Sequence, residues 1–184
     1  MTDRRSAPEG YESSSWDQVT DAANIRKWIR AAGATKTLPI YIHGDTGSGK
    51  TSLAALLYRT ADTPLWRRCD DFLLTLATTR TDASYNAEIA KAKFASCLFL
   101  DDIGLRKPTE AMNQIFFDLL EMRKGKPTVI TSNHTPEHLA ELYDDRITSR
   151  ILAGTIITLQ GVDRREGQGK RHLAIARDDN GSRL

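Results

Sequence analysis

The stretch Gly44-Asp45-Thr46-Gly47-Ser48-Gly49-Lys50-Thr51 fits the phosphate-binding pattern G-x-x-x-x-G-K-[ST] without a mismatch. Its glycines let the loop wrap backbone N–H groups around an anion, and the positive end of the following helix adds to the field. Lys50 reaches the β- and γ-phosphates, the Thr51 hydroxyl is placed for Mg²⁺, and Ser52 completes the binding stretch at the start of the helix. These residues imply a bound nucleoside triphosphate, ATP with Mg²⁺.

Asp101-Asp102 supplies the second half of such a site. Both carboxylates end the apolar run Ser96-Cys97-Leu98-Phe99-Leu100, which reads as a buried parallel strand neighbouring the strand of the phosphate loop. Asp101 is assigned to the metal and Asp102 to orienting and deprotonating the attacking water. Asp is one methylene shorter than the Glu often found in that second place, which predicts slow hydrolysis. Asn133, after Thr131-Ser132, ends another strand on the same edge, where its amide can hold the water or touch the γ-phosphate.

Arg146 and Arg150 are four residues apart and share a helix face. Two readings stay open for them: surface arginines paired with Asp144 and Asp145, or an arginine finger reaching a γ-phosphate bound by a neighbouring subunit. His134-Thr135-Pro136-Glu137-His138 matches the H-x-x-E-H pattern of one class of zinc peptidase and is rejected as such. Thr135 and Pro136 start the helix, leaving His134 outside it, so the two histidines cannot share a helix face.

The elements that must position these residues follow from the hydrophobic pattern. Leu38 to His43 reads as a strand before the loop, and Ser52 to Ala61, with Leu53, Leu56 and Leu57 at helical spacing, as the helix after it. Pro64 to Cys69 is a second strand, Asp70 caps a helix to about Ala77, and Tyr85, Ile89 and Phe94 mark another. Thr109 to Arg123 is an amphipathic helix ended by Gly125, with Met112, Ile115, Phe116, Leu119 and Leu120 on one stripe. Thr128 to Thr131 is a strand, Thr135 starts a helix, Asp145 to Ala153 is another, and Thr155 to Leu159 a fifth strand. Alternating strands and helices predict an α/β chain, a three-layer sandwich around a five-stranded parallel sheet.

At 184 residues and 40% apolar content, the chain suits one domain with a full core. No run is apolar and long enough to span a membrane, and Met1 to Gly10 lacks the apolar core of a signal peptide, so a soluble cytoplasmic protein is expected. Cys69 and Cys97 read as reduced, buried thiols. The net charge of +2 neither requires nor excludes a nucleic-acid partner. Residues 1–36 are predicted as an extension with one amphipathic helix capped by Asp21 and carrying Ile25, Trp28, Ile29 and Ala32. Residues 37–165 form the nucleotide-binding domain, and 166–184 a mobile basic tail.

The order of these segments is informative. Gly44 to Thr51, Leu98 to Gly104, Val129 to Asn133, Asp145 to Arg150 and Leu159 to Arg165 together resemble the AAA+ ATPases of the bacterial replicative helicase loaders. The insertion-sequence transposition ATPases are similar in the same segments. The resemblance implies an AAA+ P-loop NTPase fold without a C-terminal helical lid, and an ATP-dependent homo-oligomer acting on DNA, single-stranded by preference. It implies Arg150 as the finger, Arg146 as a supporting arginine, and Arg165 as a late arginine with a phosphate-sensing role. A replicative helicase or a transposase is the protein partner it implies. Loaders grip their helicase through a separate N-terminal segment, whereas residues 1–36 are short for that task. The competing functions are therefore a helicase-loader-like ATPase in DNA replication, a transposition-regulating ATPase on duplex DNA, and an ATP-dependent adaptor without DNA-stimulated hydrolysis.

Overall fold

The computed structural model describes residues 8–19, 39–79, 83–160 and 172–175. One sheet holds β1 (Ile40–Gly44), β2 (Leu65–Arg68), β3 (Leu98–Ile103), β4 (Thr128–Ser132), β5 (Thr155–Gln160) and β6 (His172–Ile175), in the order β2-β3-β4-β1-β5-β6. The first five strands are parallel, and β6 adds antiparallel to β5. Connecting them are α1 (Lys50–Tyr58), α2 (Cys69–Thr78), α3 (Ala83–Phe94), α4 (Glu110–Met122), α5 (Pro136–Leu142) and α6 (Asp145–Leu152). This is the five-stranded parallel P-loop architecture that the alternating pattern predicts, with one strand added at the edge.

Successive residues along a buried strand face opposite ways, so the sheet feeds two cores. Leu98, Leu100, Tyr41 and Ile130 join Phe72, Leu73, Phe116, Leu119 and Ile147 on the face covered by α2, α4 and α6. Phe99, Ile40, Ile42 and Val129 join Leu53, Leu56 and Leu57 of α1 on the other. The amphipathic stripe read from Met112 to Leu120 is the buried side of α4. Residues 8–19 lie along the second core: Val19 is buried there, and the Arg59 guanidinium donates to the carbonyls of Tyr11, Glu12 and Ser14 at 2.8, 2.6 and 2.8 Å.

Three readings change. The strand carrying Asp101-Asp102 does not neighbour the phosphate-loop strand, because β4 lies between β1 and β3. Asp70 is not a cap: α2 begins at Cys69 with Arg68 as N-cap, and Asp70 is buried within the first turn. The stretch 166–184, read as a tail, contains β6, a run of four residues too short to announce itself by periodicity. The helix predicted around Ile25 to Ala32, and Arg165, lie outside the described residues. Among those described, no helix follows β5 and none is long and apolar enough to cross a membrane. Cys69 and Cys97 are both free and buried.

Candidate functional site

The phosphate loop leaves the C-terminal end of β1 and enters α1 at Lys50, with Gly49 as its N-cap. Gly44 is where the loop departs, and a Cβ there would lie 2.1 Å from the Leu159 carbonyl oxygen on β5. Only glycine permits that approach of two parallel strands. Asp45 and Thr46 are exposed at the tip, Gly47 and Ser52 half-buried, and the Ser48 hydroxyl is buried with no hydrogen-bond partner among the described residues. Lys50 is buried, and its ammonium donates to the Gly44 and Asp45 carbonyls at 2.8 and 2.7 Å. Burial pulls its pKa below the ordinary value, opposed by the charges of Asp102, Asp45 and Asp101. The four charged groups therefore share one electrostatic neighbourhood although Asp101 and Asp102 come from a strand two places away.

Thr131 of β4, which the sequence reading passed over, bridges the intervening strand. Its hydroxyl donates to Asp101 Oδ1 at 2.6 Å, and the Thr51 hydroxyl donates to the same oxygen at 3.1 Å. Burial raises the Asp101 carboxyl to about 6, with the Thr131 hydrogen bond pulling it down and the Asp102 charge pushing it up. A buried carboxylate oxygen beside a threonine hydroxyl is a hard-oxygen donor set. With so few protein donors it suits Mg²⁺, which keeps water and phosphate oxygens for its other positions. Thr51 and Asp101 are the residues that would hold the ion.

Asp102 owes its placement to an irregularity in β3. The pairing with β4 shifts register between Leu100 and Ile103, and Asp102 there has φ 57°, the one non-glycine residue with positive φ among those described. A bulge of this kind re-aims a side chain, and Asp tolerates the left-handed region better than most residues. The Asp102 N–H donates to the Thr131 hydroxyl at 2.9 Å, so one threonine side chain ties both aspartates to β4. Asp102 is half-buried, whereas Asp101 is 9% exposed.

Asn133 follows β4 directly and is exposed at the same edge of the sheet. His134 sits outside α5, whose N-cap is Thr135, and its Nε2 lies 2.8 Å from the Gly104 carbonyl oxygen. His138 is exposed on the helix with its ring centroid 4.9 Å from that of His134, and no cluster of three or more metal-ligating side chains forms among the described residues. His43, beside the loop, is held by Thr158 of β5 through a 2.9 Å contact.

The arginines of α6 belong to a different neighbourhood. Arg146 donates to both Asp144 carboxylate oxygens, and Arg150 to the Glu121 carboxylate and the Arg146 carbonyl. Both guanidinium groups lie over the Phe117 ring, at 4.8 and 4.3 Å from its centroid. Their hydrogen-bond partners all lie on α4 and α6 or at the α6 N-cap, and none on the phosphate loop. Of the two readings left open, the pairing with Asp144 is present; Asp145 is not the partner. The Phe117 platform and the Glu121 partner carry no local sequence signal, since both sit in an earlier helix.

The residues 16–157 match the family described as IstB-like ATP-binding protein. The chromosomal replication initiator protein DnaA of Rhizobium meliloti is 28% identical over 190 residues, which cover 98% of this chain and 39% of that protein. An ATP-binding protein encoded in an insertion sequence of Mycobacterium tuberculosis is 27% identical over 145 residues, 76% of this chain and 55% of that one. The chain thus spans about two fifths to one half of the length of these relatives. The crystal structure of the DnaC helicase loader superposes with a TM-score of 0.69 at 16% identity, covering 82% of this chain and 99% of that one. At that identity the likeness speaks for the fold.

Proposed function

Because the chain belongs to the family of IstB-like ATP-binding proteins, we propose that it is an AAA+ ATPase that hydrolyses ATP slowly and works in DNA replication as a helicase-loader-like protein assembling on single-stranded DNA. The observation that carries the hydrolytic half is the convergence of the Thr51 and Thr131 hydroxyls on Asp101 Oδ1, at 3.1 and 2.6 Å. It joins the phosphate loop to the carboxylate pair across an intervening strand. The replication half rests on the DnaA relative and on the loader fold.

In this reading Lys50 and the loop N–H groups grip the β- and γ-phosphates. Thr51 and Asp101 would hold Mg²⁺, which would supply charge neutralisation on the phosphate oxygens. Asp102 accepts the proton of the attacking water while Asn133 orients that water or the γ-phosphate. Arg150, backed by Arg146, stabilises the transition-state charge at the site of an adjacent subunit.

A second reading, a transposition-regulating ATPase on duplex DNA, is favoured by the insertion-sequence relative. One experiment addresses both: ATPase rate with and without single-stranded or duplex DNA, alongside the mass of the species formed with a slowly hydrolysed ATP analogue. Hydrolysis stimulated by single-stranded DNA, with assembly on it, supports the first. Stimulation by duplex alone moves the protein to the second, and ATP binding without any stimulation leaves an adaptor.

A further inference from the structure

Gly104, the second residue after Asp102, is held from two sides. Its N–H donates to Asp70 Oδ1 at 3.2 Å, and the other Asp70 oxygen accepts the Arg106 N–H at 2.9 Å. Asp70 is 1% exposed, so these are the backbone partners that a buried carboxylate requires. On its other side, the Gly104 carbonyl oxygen meets His134 Nε2 at 2.8 Å. A carbonyl only accepts, so Nε2 carries the proton. Gly104 has φ 86°, and a Cβ there would lie 2.7 Å from His134 Cδ2, so the glycine is what lets the ring close in.

His134 is itself fixed on both sides of its backbone. The Tyr41 hydroxyl donates to its carbonyl at 2.8 Å, and its N–H donates to the Ser132 hydroxyl at 3.0 Å. That hydroxyl in turn donates to the Ile103 carbonyl at 2.9 Å. A continuous chain of hydrogen bonds thus runs from α2 through the segment following Asp102 to the residue following Asn133.

We propose that His134 is a positioning residue for ATP hydrolysis, locking the strand end that carries Asn133 to the segment that carries Asp102, with Asp70 as the anchor on α2. This rests on the hydrolytic reading above. Asp102 and Asn133 stand on different strands, and Asp102 occupies a backbone conformation that needs outside support to persist. His134 touches neither side chain and fixes their backbones relative to one another. The same bonds make the segment 104–106 respond to whatever displaces Asn133. Arg106 also pairs with Asp71 at 3.2 Å on the outer face of α2.

The test pairs single-turnover hydrolysis with amide hydrogen exchange at residues 104–106 in the full chain bound to a slowly hydrolysed ATP analogue. His134→Ala is expected to keep analogue affinity within a few-fold while hydrolysis falls about 10²-fold, the scale of a small misplacement of reacting groups. Exchange at Gly104 and Arg106 should quicken. His134→Gln, which retains a donor at similar reach, should recover most of both. Wild-type hydrolysis in His134→Ala, a loss of affinity in proportion to the loss of rate, or a Gln variant no better than Ala would each overturn the proposal.

If the wild-type protein proves not to hydrolyse ATP, the hydrolytic reading fails and the exchange measurement decides the brace alone; unchanged exchange in His134→Ala would then refute it. If His134→Ala does not fold, Tyr41→Phe keeps the shape of the core and removes one anchor of His134. Faster exchange at 104–106 with slower hydrolysis is expected there, and no change in either overturns the proposal.

Discussion

Lys50 is 5% exposed and donates to two carbonyls of its own loop, whereas Arg150 keeps 33% of its side chain in solvent, lies on Phe117 and pairs with Glu121. Both are cations that the proposed reaction needs, built under opposite conditions. The buried lysine is positioned by backbone within six residues of itself, in a loop whose contiguous pattern is visible in the sequence. The arginine is positioned by side chains from α4 and by its own helix, on a surface with no contact to the phosphate loop. A cation held in that way loses little when it exchanges an exposed carboxylate for another anion, because surface ion pairs contribute little and solvent screens them. The contrast supports the proposed division, with Lys50 on the nucleotide of its own chain and Arg150 on that of another.

The largest effect expected from this contrast is on Arg150→Ala. ATP binding to the monomer should be normal, while hydrolysis falls by about 10³-fold or more, as for arginine fingers supplied in trans. Mixing Arg150→Ala with Lys50→Ala restores one complete site wherever the intact phosphate loop of the first meets the intact arginine of the second. Recovery of ATPase activity in the mixture supports a shared site. No recovery, with a monomer at every ATP and DNA concentration, returns Arg150 to the role of a surface residue.

Next in size is Lys50→Ala alone. Removing a buried, hydrogen-bonded charge from a contact with phosphate is expected to weaken binding of a fluorescent ATP analogue by about 10²-fold. Unchanged affinity would erase the distinction between the two cations, since neither would then answer to its own chain's nucleotide.

Arg123 extends the comparison to a buried arginine with no part in the reaction. It is 2% exposed and donates to the carbonyls of Ala92, Ala95 and Pro127 and to the Thr128 hydroxyl, binding the end of α3 to the start of β4. Arg123→Met keeps an unbranched apolar stem of similar thickness and leaves those acceptors without their donor. A stability loss of about 2 kcal/mol in urea denaturation is expected, with little change in nucleotide affinity. An equal loss from Arg150→Ala would contradict the division between buried and exposed cations.

The same division explains what the sequence could disclose. Gly44 to Thr51 is contiguous, and its chemistry follows from residue order. Asp101 and Asp102 were legible as a pair at a strand end, because a buried apolar run followed by carboxylates has few other readings. Their supports were not. Thr131 joins them to Thr51 from the strand that separates β3 from β1, and strand order is set by crossovers that leave no mark in a local pattern. Asp102 reaches its conformation through a bulge, which no residue type there announces. Asp70 reads as a cap because an Asp before an apolar helical run so often is one; its carboxylate instead holds the N–H groups of Gly104 and Arg106, more than thirty positions away. Phe117 lies outside the apolar stripe of Met112, Ile115, Phe116, Leu119 and Leu120, and nothing in its local pattern announces that two guanidinium groups lie over its ring.

The smallest effect belongs to Glu121→Gln, and it is the sharpest test of what the α6 face is for. Glu121 is the carboxylate that engages Arg150, and the arginine's hydrogen bond holds the Glu121 pKa below its usual range. If that pair exists for folding, neutralising it lowers the denaturation midpoint. If it steers the guanidinium into a neighbouring site, hydrolysis falls with the loss of its charge. The exposure of both groups argues for neither outcome: the Phe117 ring and the Arg146 carbonyl still place the guanidinium when the carboxylate charge is gone. The expected result is an unchanged midpoint and a hydrolysis rate within a few-fold of wild type. A rate loss approaching that of Arg150→Ala would make Glu121 part of the machinery and the ion pair the state in which the arginine works.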